Sequence, residues 1–143
     1  MFERLNILVS EAQESDKGLI RTQHLVADDD LVSLLLDKGI ALTGCPTRYV
    51  SEDETASGGN LDMMIKLMER GVVVSINSDD PEQFGSGWLN RTIVEAQRNG
   101  NLPSETLIKL MRNGYQSAWM TSQQRSSYLR QFDQTCDAFD WGL

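Results

Sequence analysis

Short apolar runs alternate with helix-like segments in this chain, and the alternation constrains the fold more than any other feature. Four β-like runs occur at residues 5–9, 19–22, 40–43 and 72–76, each bounded by polar or glycine positions. Parallel strands need long crossover connections, whereas antiparallel neighbours can be joined by short turns. Helical segments between the later runs therefore predict a parallel sheet with helices packed outside it. The predicted fold class is α/β.

Helix boundaries are marked by capping residues along the chain. Leucines at helical spacing predict a helix over residues 29–38 that stops at Gly39, and a second helix over residues 61–70 that is closed by Gly71. After the fourth run the pattern is entirely helical, at residues 88–98, at 103–113 and in a segment opened by Thr121. Pro103 suits a first helical turn. Thr121, followed three residues later by glutamine, matches a capping box.

Composition narrows the class of protein. The 143 residues, 40% apolar and 24% charged, fit one domain with a core, and no apolar stretch approaches the roughly 20 residues of a membrane span. The net charge of -8 would repel a phosphate backbone, so we expect neither a nucleic-acid nor a membrane partner. The first residues do not resemble an export leader. We therefore expect a cytoplasmic protein in which Cys45 and Cys136 stay reduced.

Ionisable side chains follow several of the predicted strands. Asp79 and Asp80 come directly after the fourth run, His24 ends the second, and Glu11 lies just beyond the first. Each has a plain reading, as a solvated turn, a satisfied surface histidine or a solvated charge. Their joint placement favours a site, because the carboxyl ends of strands in a parallel barrel are where catalytic groups converge.

Two motifs carry a family resemblance. The sequence Asn-Ser-Asp-Asp-Pro at 77–81, followed by Phe-Gly at 84–85, has Cys-Pro-Thr at 45–47 about thirty residues before it, and Arg-Asn-Gly-Tyr-Gln-Ser-Ala-Trp occurs at 112–119. Together they resemble the adenosine/adenine deaminase family over residues 5–129. The downstream Phe-Gly and Asn90 lean toward the adenine deaminases. The resemblance implies barrel strands 5–8 of a TIM-type (β/α)8 barrel plus C-terminal helices, so that residues 1–143 form one partial deaminase domain.

The resemblance also implies roles for individual residues. Asp79 would ligate a catalytic zinc ion and contact the attacking water, and Asp80 would hydrogen-bond the imidazole nitrogen of the purine. His24 would orient or deprotonate the water, and Glu11 would protonate the ring nitrogen. Ser10 stands where the family has a glycine whose backbone approaches the base. The implied reaction is hydrolytic deamination of adenine or adenosine to hypoxanthine or inosine, with release of ammonia.

Departures from the family pattern concern the metal. Leu8 stands where a zinc-binding histidine is expected, and the family's His-x-His pair belongs to a first strand that this sequence does not contain. A catalytic zinc usually has three protein ligands, and a full barrel has about 250 residues. We therefore expect part of a larger barrel that is weakly active or inactive alone. The remaining strands would come from a second copy or a separate N-terminal half. The alternative is a non-catalytic relic or interaction module of the same fold without metal.

Overall fold

The computed structural model describes residues 28–46, 59–78, 82 and 88–139. The runs at residues 5–9 and 19–22, predicted as strands, lie outside these residues. Within the described ranges five helices and two strands follow one another in the order helix, strand, helix, strand and three helices. Their bounds are α1 Asp29–Lys38, β1 Leu42–Gly44, α2 Gly59–Glu69, β2 Val74–Ile76, α3 Leu89–Gly100, α4 Ser104–Ser117 and α5 Ser122–Ala138.

Helix α1 has the bounds that its sequence predicts. The Asp28 carboxylate caps its start by accepting a hydrogen bond from Leu31 N at 2.9 Å. Gly39 ends it in the left-handed region, with φ at 61°. The next residue, Ile40, donates its N–H back to Leu35 O at 2.9 Å, so the chain turns directly into β1.

Strands β1 and β2 pair in parallel, with Leu42 beside Val74, Thr43 beside Ser75 and Gly44 beside Ile76. Helix α2 is the crossover between them. Because side chains alternate along a strand, Val74 and Ile76 share one face and Ser75 lies on the other. The face that carries Val74 and Ile76 forms the core with helices α1 to α4; its buried members are Val32, Leu35, Met64, Leu67, Met68, Val72, Val74, Ile76, Ala96 and Leu110.

The C-terminal helices cover the sheet less fully than the sequence suggests. Leu107 and Leu110 are buried and Ile93 packs against the core, as expected of side chains that shield one face. Val94 and Met111 were expected to join them, but they are 42% and 36% exposed. Each lies one position after a core-facing residue, and a single residue step rotates a side chain by about 100° around the helix.

Helix α5 packs on α4 and has no buried residue of its own. The predicted capping box is present at its start: Gln124 N donates to Thr121 Oγ1 at 3.2 Å, and Thr121 N donates to Gln124 Oε1 at 3.0 Å. Arg112 on α4 forms two hydrogen bonds with Asp133 on α5, at 2.9 and 3.1 Å. Within the described ranges, none of the helices is both long and apolar enough to cross a bilayer.

Candidate functional site

The carboxyl ends of β1 and β2 lie side by side at one edge of the sheet. Gly44 and Ile76 are register partners, and Asn77 N donates to Gly44 O at 2.8 Å, so the pairing continues one residue beyond β2. Cys45 and Pro46 follow β1 at this edge, while Asn77 and Ser78 follow β2. Segments that leave both strands therefore start from neighbouring points, as a site at strand ends requires.

The Asn77 side chain folds back along β2. Its Nδ2 donates to Ser75 O at 3.3 Å and to Ser75 Oγ at 3.1 Å. Both partners belong to the same residue, two positions earlier on the strand. These contacts fix the amide of Asn77 and the backbone from which the Asp79-Asp80 pair continues.

A polar groove of about 700 Å³ runs along the sheet on the face of Thr43 and Ser75. Asn77 lines it at the carboxyl end of β2, and the C-terminal part of α4 with the start of α5 forms its other wall. Trp119 and Arg125 are its largest lining side chains. The Arg125 guanidinium donates through Nη2 to Ala118 O at 3.0 Å. Its Nε is buried without a hydrogen-bond partner among the described residues.

The residues predicted to carry chemistry are not among those that the structure describes. They are Ser10, Glu11, His24, Asp79 and Asp80, together with Leu8 at the position of an absent zinc ligand. Their roles stay predictions. The described residues that lead to them are consistent with the predicted order, because Asn77 and Ser78 leave β2 at the edge where Cys45 leaves β1.

The polar contacts around β2 were not found by sequence reasoning. Ser75 was read only as part of an apolar run, and Asn113 only as part of a family motif. Strand alternation places Ser75 opposite Val74, and that signal was available. The contact of Asn113 with β2 joins residues 39 positions apart, and no local pattern reports it.

Metal-ligating side chains do not gather in the described part of the chain. No group of three or more histidine, cysteine or carboxylate residues lies close enough there to hold an ion. Cys45, at the end of β1, is half-buried, and neither it nor Cys136 is joined in a disulfide. The described strand ends therefore do not form a zinc centre by themselves.

Comparison with known proteins agrees with the motifs. The family model described as adenosine deaminase matches residues 19–135. An adenine deaminase of Paraburkholderia phytofirmans is 31% identical over 137 residues, which is 93% of this chain and 36% of the relative. An uncharacterized deaminase of Schizosaccharomyces pombe is 29% identical over 129 residues, 87% of this chain and 37% of the relative.

The fold comparison leads to the same family. The crystal structure of adenine deaminase from Arthrobacter aurescens matches with a TM-score of 0.68 at 23% identity, over 91% of this chain and 40% of that chain. This confirms the predicted α/β class and its correspondence to part of a TIM-type barrel. The chain spans little more than a third of the length of these relatives. With the family model matching most of its residues, the chain belongs to the adenosine deaminase family.

Proposed function

We propose that this chain contributes part of a site for the hydrolytic deamination of adenine or adenosine, with adenine as the favoured substrate. The observation that carries the proposal is the family match over residues 19–135, a range that contains His24, Asp79 and Asp80. Several relatives at about 30% identity are adenine deaminases, and this supports adenine over adenosine. Glu11 and Ser10 precede the matched range, so their roles rest on the motif resemblance alone.

The proposed reaction adds water to the amino-bearing ring carbon and expels the amino group as ammonia. Glu11 gives a proton to the adjacent ring nitrogen, which makes the carbon more electrophilic. His24 orients the water and accepts its proton. Asp80 holds the base through its imidazole nitrogen, and the Ser10 backbone approaches the ring.

The donor set of this chain does not fit a complete zinc site. Of the usual family ligands only Asp79 is present, Leu8 replaces one histidine, and the described residues contain no cluster of ligands. Three protein ligands are usual for catalytic zinc. We therefore propose that the isolated chain binds zinc weakly or not at all, and that the further ligands belong to barrel strands that this sequence does not span.

The second candidate is a non-catalytic module that keeps the fold without the metal. Leu8 favours it, because a leucine side chain has no atom that can ligate zinc. Under this reading the chain would bind other proteins or a purine without turning it over. The two candidates differ in whether Asp79 matters for ammonia release.

A chimaera separates these candidates. This chain would replace the matched segment of the Paraburkholderia phytofirmans adenine deaminase, with zinc content and ammonia release from adenine and adenosine as readouts. We expect turnover of adenine that Asp79→Ala abolishes and that Asp37→Ala, on the exposed side of α1, leaves unchanged. A folded chimaera that releases no ammonia from either compound would contradict the proposal and support the non-catalytic module.

A further inference from the structure

The backbone of β2 presents two different edges. Leu42 N donates to Val73 O and Asn77 N donates to Gly44 O, so residues 73, 75 and 77 direct their peptide groups toward β1. In a parallel ladder the residues between them direct theirs the opposite way. The N–H and C=O groups of Val74 and Ile76 therefore lie along the outer edge of β2, where a further strand would pair.

Asn113 occupies one position on this outer edge. Its Nδ2 donates to Val74 O at 2.9 Å, and the side chain is 8% exposed. Helix α4 is held there by Leu110, which is fully buried, and by the close approach of Gly114 to Ser75, where an added Cβ would lie 3.8 Å from the Ser75 Cβ. The asparagine amide thus makes the contact that the N–H of a neighbouring strand would make, and it covers an edge that would otherwise be open.

The groove beside this edge is suited to a polypeptide backbone. Its floor is formed by Thr43 and Ser75, and Asn77 lies at one end. Arg125 is the charged side chain of its lining, and the Nε of that guanidinium has no acceptor among the described residues. A chain entering the groove would bring carbonyl or carboxylate oxygens to a guanidinium that now uses a single carbonyl.

We propose that the outer edge of β2 is a strand-addition site for the remainder of a deaminase barrel, and that Asn113 is the group displaced when the strand docks. The inference rests on the proposed function, because the occupant is the part that the relatives have and this sequence does not span, about two thirds of their length. A second copy fits less well. Two identical edges related by a twofold axis pair antiparallel, and each copy carries a net charge of -8.

Residue-resolved hydrogen exchange tests the site directly. The probe is the part of the Paraburkholderia phytofirmans adenine deaminase outside the matched segment, titrated into this chain. We expect a one-to-one complex in which the amides of Val74 and Ile76 gain protection. The amides of Ser75 and Asn77, which already face β1, serve as the internal reference and should stay protected throughout.

Substitution of Asn113 tests the displacement. Because docking no longer breaks the bond to Val74 O, Asn113→Ala should bind the probe about three- to tenfold more tightly, the worth of one net hydrogen bond. Asn113→Asp keeps the size of the side chain but cannot donate, and it should show the same direction if Asn113→Ala unfolds. Asn90→Ala, on the exposed start of α3, should bind as the parent does.

Several results would overturn the proposal. They are failure of the probe to bind, binding without new protection at Val74 and Ile76, and weaker binding by a folded Asn113→Asp variant. Protection of the same two amides that rises with the concentration of this chain alone would identify a second copy as the occupant. None of these readouts needs turnover, so an inactive chimaera with a normal complex would contradict only the deaminase proposal.

Discussion

At the residue scale, two helices end in the left-handed region with different residues. Gly39 ends α1 at φ 61°, and Asn101 ends α3 at φ 46°. A Cβ on Gly39 would meet nothing within 4 Å, so the cost of Gly39→Ala is purely conformational. We expect a loss of about 1–2 kcal/mol in the free energy of unfolding, measured by urea denaturation.

The reverse change is the matched control. Asn101→Gly removes a side chain from a backbone conformation that glycine adopts without strain, so the free energy of unfolding should stay the same or rise slightly. If Gly39→Ala and Asn101→Gly were equally destabilising, the conformational explanation would be wrong.

Gly44 is required for a different reason, the space at the end of β1. A Cβ there would lie 2.6 Å from Met64 Cε and 2.7 Å from Met64 Cγ. Met64 is almost fully buried, so its thioether cannot simply turn into solvent. We expect Gly44→Ala to cost about 1–3 kcal/mol, the range for an overpacked core. Thermal unfolding measured by circular dichroism would check it.

A double-mutant cycle identifies the contact. Met64→Ala alone should cost about 2–5 kcal/mol by leaving a cavity. The new methyl of Gly44→Ala would occupy part of that cavity, so the double variant should lose less than the two single costs together. Additive costs would show that Met64 is not the obstacle.

Residue-scale prediction from sequence was uneven for physical reasons. The stop at Gly39 and the Thr121 capping box were predicted because caps depend on residues within one helical turn. The buried contact from Asn113 to Val74 was not, since it depends on how α4 packs onto β2. The roles of Glu11, His24, Asp79 and Asp80 stay predictions that rest on the family motif and on the edge at which β2 ends.

At the element scale, the helices were better predicted than the strands. Helices α1 and α2 were placed to within two residues, because 3.6-residue periodicity and glycine stops are local signals. The runs at 40–43 and 72–76 became the shorter β1 and β2, whose bounds depend on their mutual register. That register, Leu42 beside Val74, depends on packing between distant residues and could not be read from either run alone.

The pair formed by α4 and α5 depends on one ion pair and an aromatic contact. The Arg112 guanidinium, hydrogen-bonded to Asp133, holds the pKa of that carboxyl below its usual value. Tyr115 stacks on Tyr128 at 6.2 Å between ring centroids and packs against Phe132 at 5.4 Å. Since α5 buries no residue fully, these contacts account for its docking.

The ion pair predicts a pH dependence with a definite sign. A carboxyl whose pKa is lowered by folding contributes stability above its unfolded pKa, near 3.8, and that contribution disappears as the pH falls through the lower folded value. Asp133→Asn should therefore lower the Tm at pH 7 by a small amount, since both side chains are largely exposed. Well below pH 3.8 the two proteins should unfold at the same temperature.

The control for this pair lies on the same helix. Asp137→Asn removes an exposed carboxylate one turn further along α5 without touching Arg112. Its Tm should follow that of the parent at both pH values. A Tm difference between Asp133→Asn and the parent that persisted at low pH would mean that the asparagine acts through packing rather than charge.

At the scale of the whole molecule, the described part of the chain leaves much apolar surface in contact with water. Trp119 is fully exposed and Trp88 is 65% exposed, while Phe139, at the end of α5, is 58% exposed. The outer edge of β2 is covered at Val74 by Asn113, and Ile76 has no such cover from that side chain. Parallel sheets are normally buried on both faces, yet the face with Ser75 lines an open groove.

These exposed surfaces predict that the isolated chain self-associates at micromolar concentration. Bringing the tryptophans and the groove together removes apolar area from water, and the net charge of -8 opposes this mainly at low salt. Sedimentation velocity should therefore show a weight-average mass that rises with protein concentration and with added salt. Adding the completing segment of a relative's barrel should suppress that rise, because it covers the groove and the edge. A single species with the mass of one chain, unfolding cooperatively at every concentration and salt, would show that the helices after β2 are enough to close the molecule.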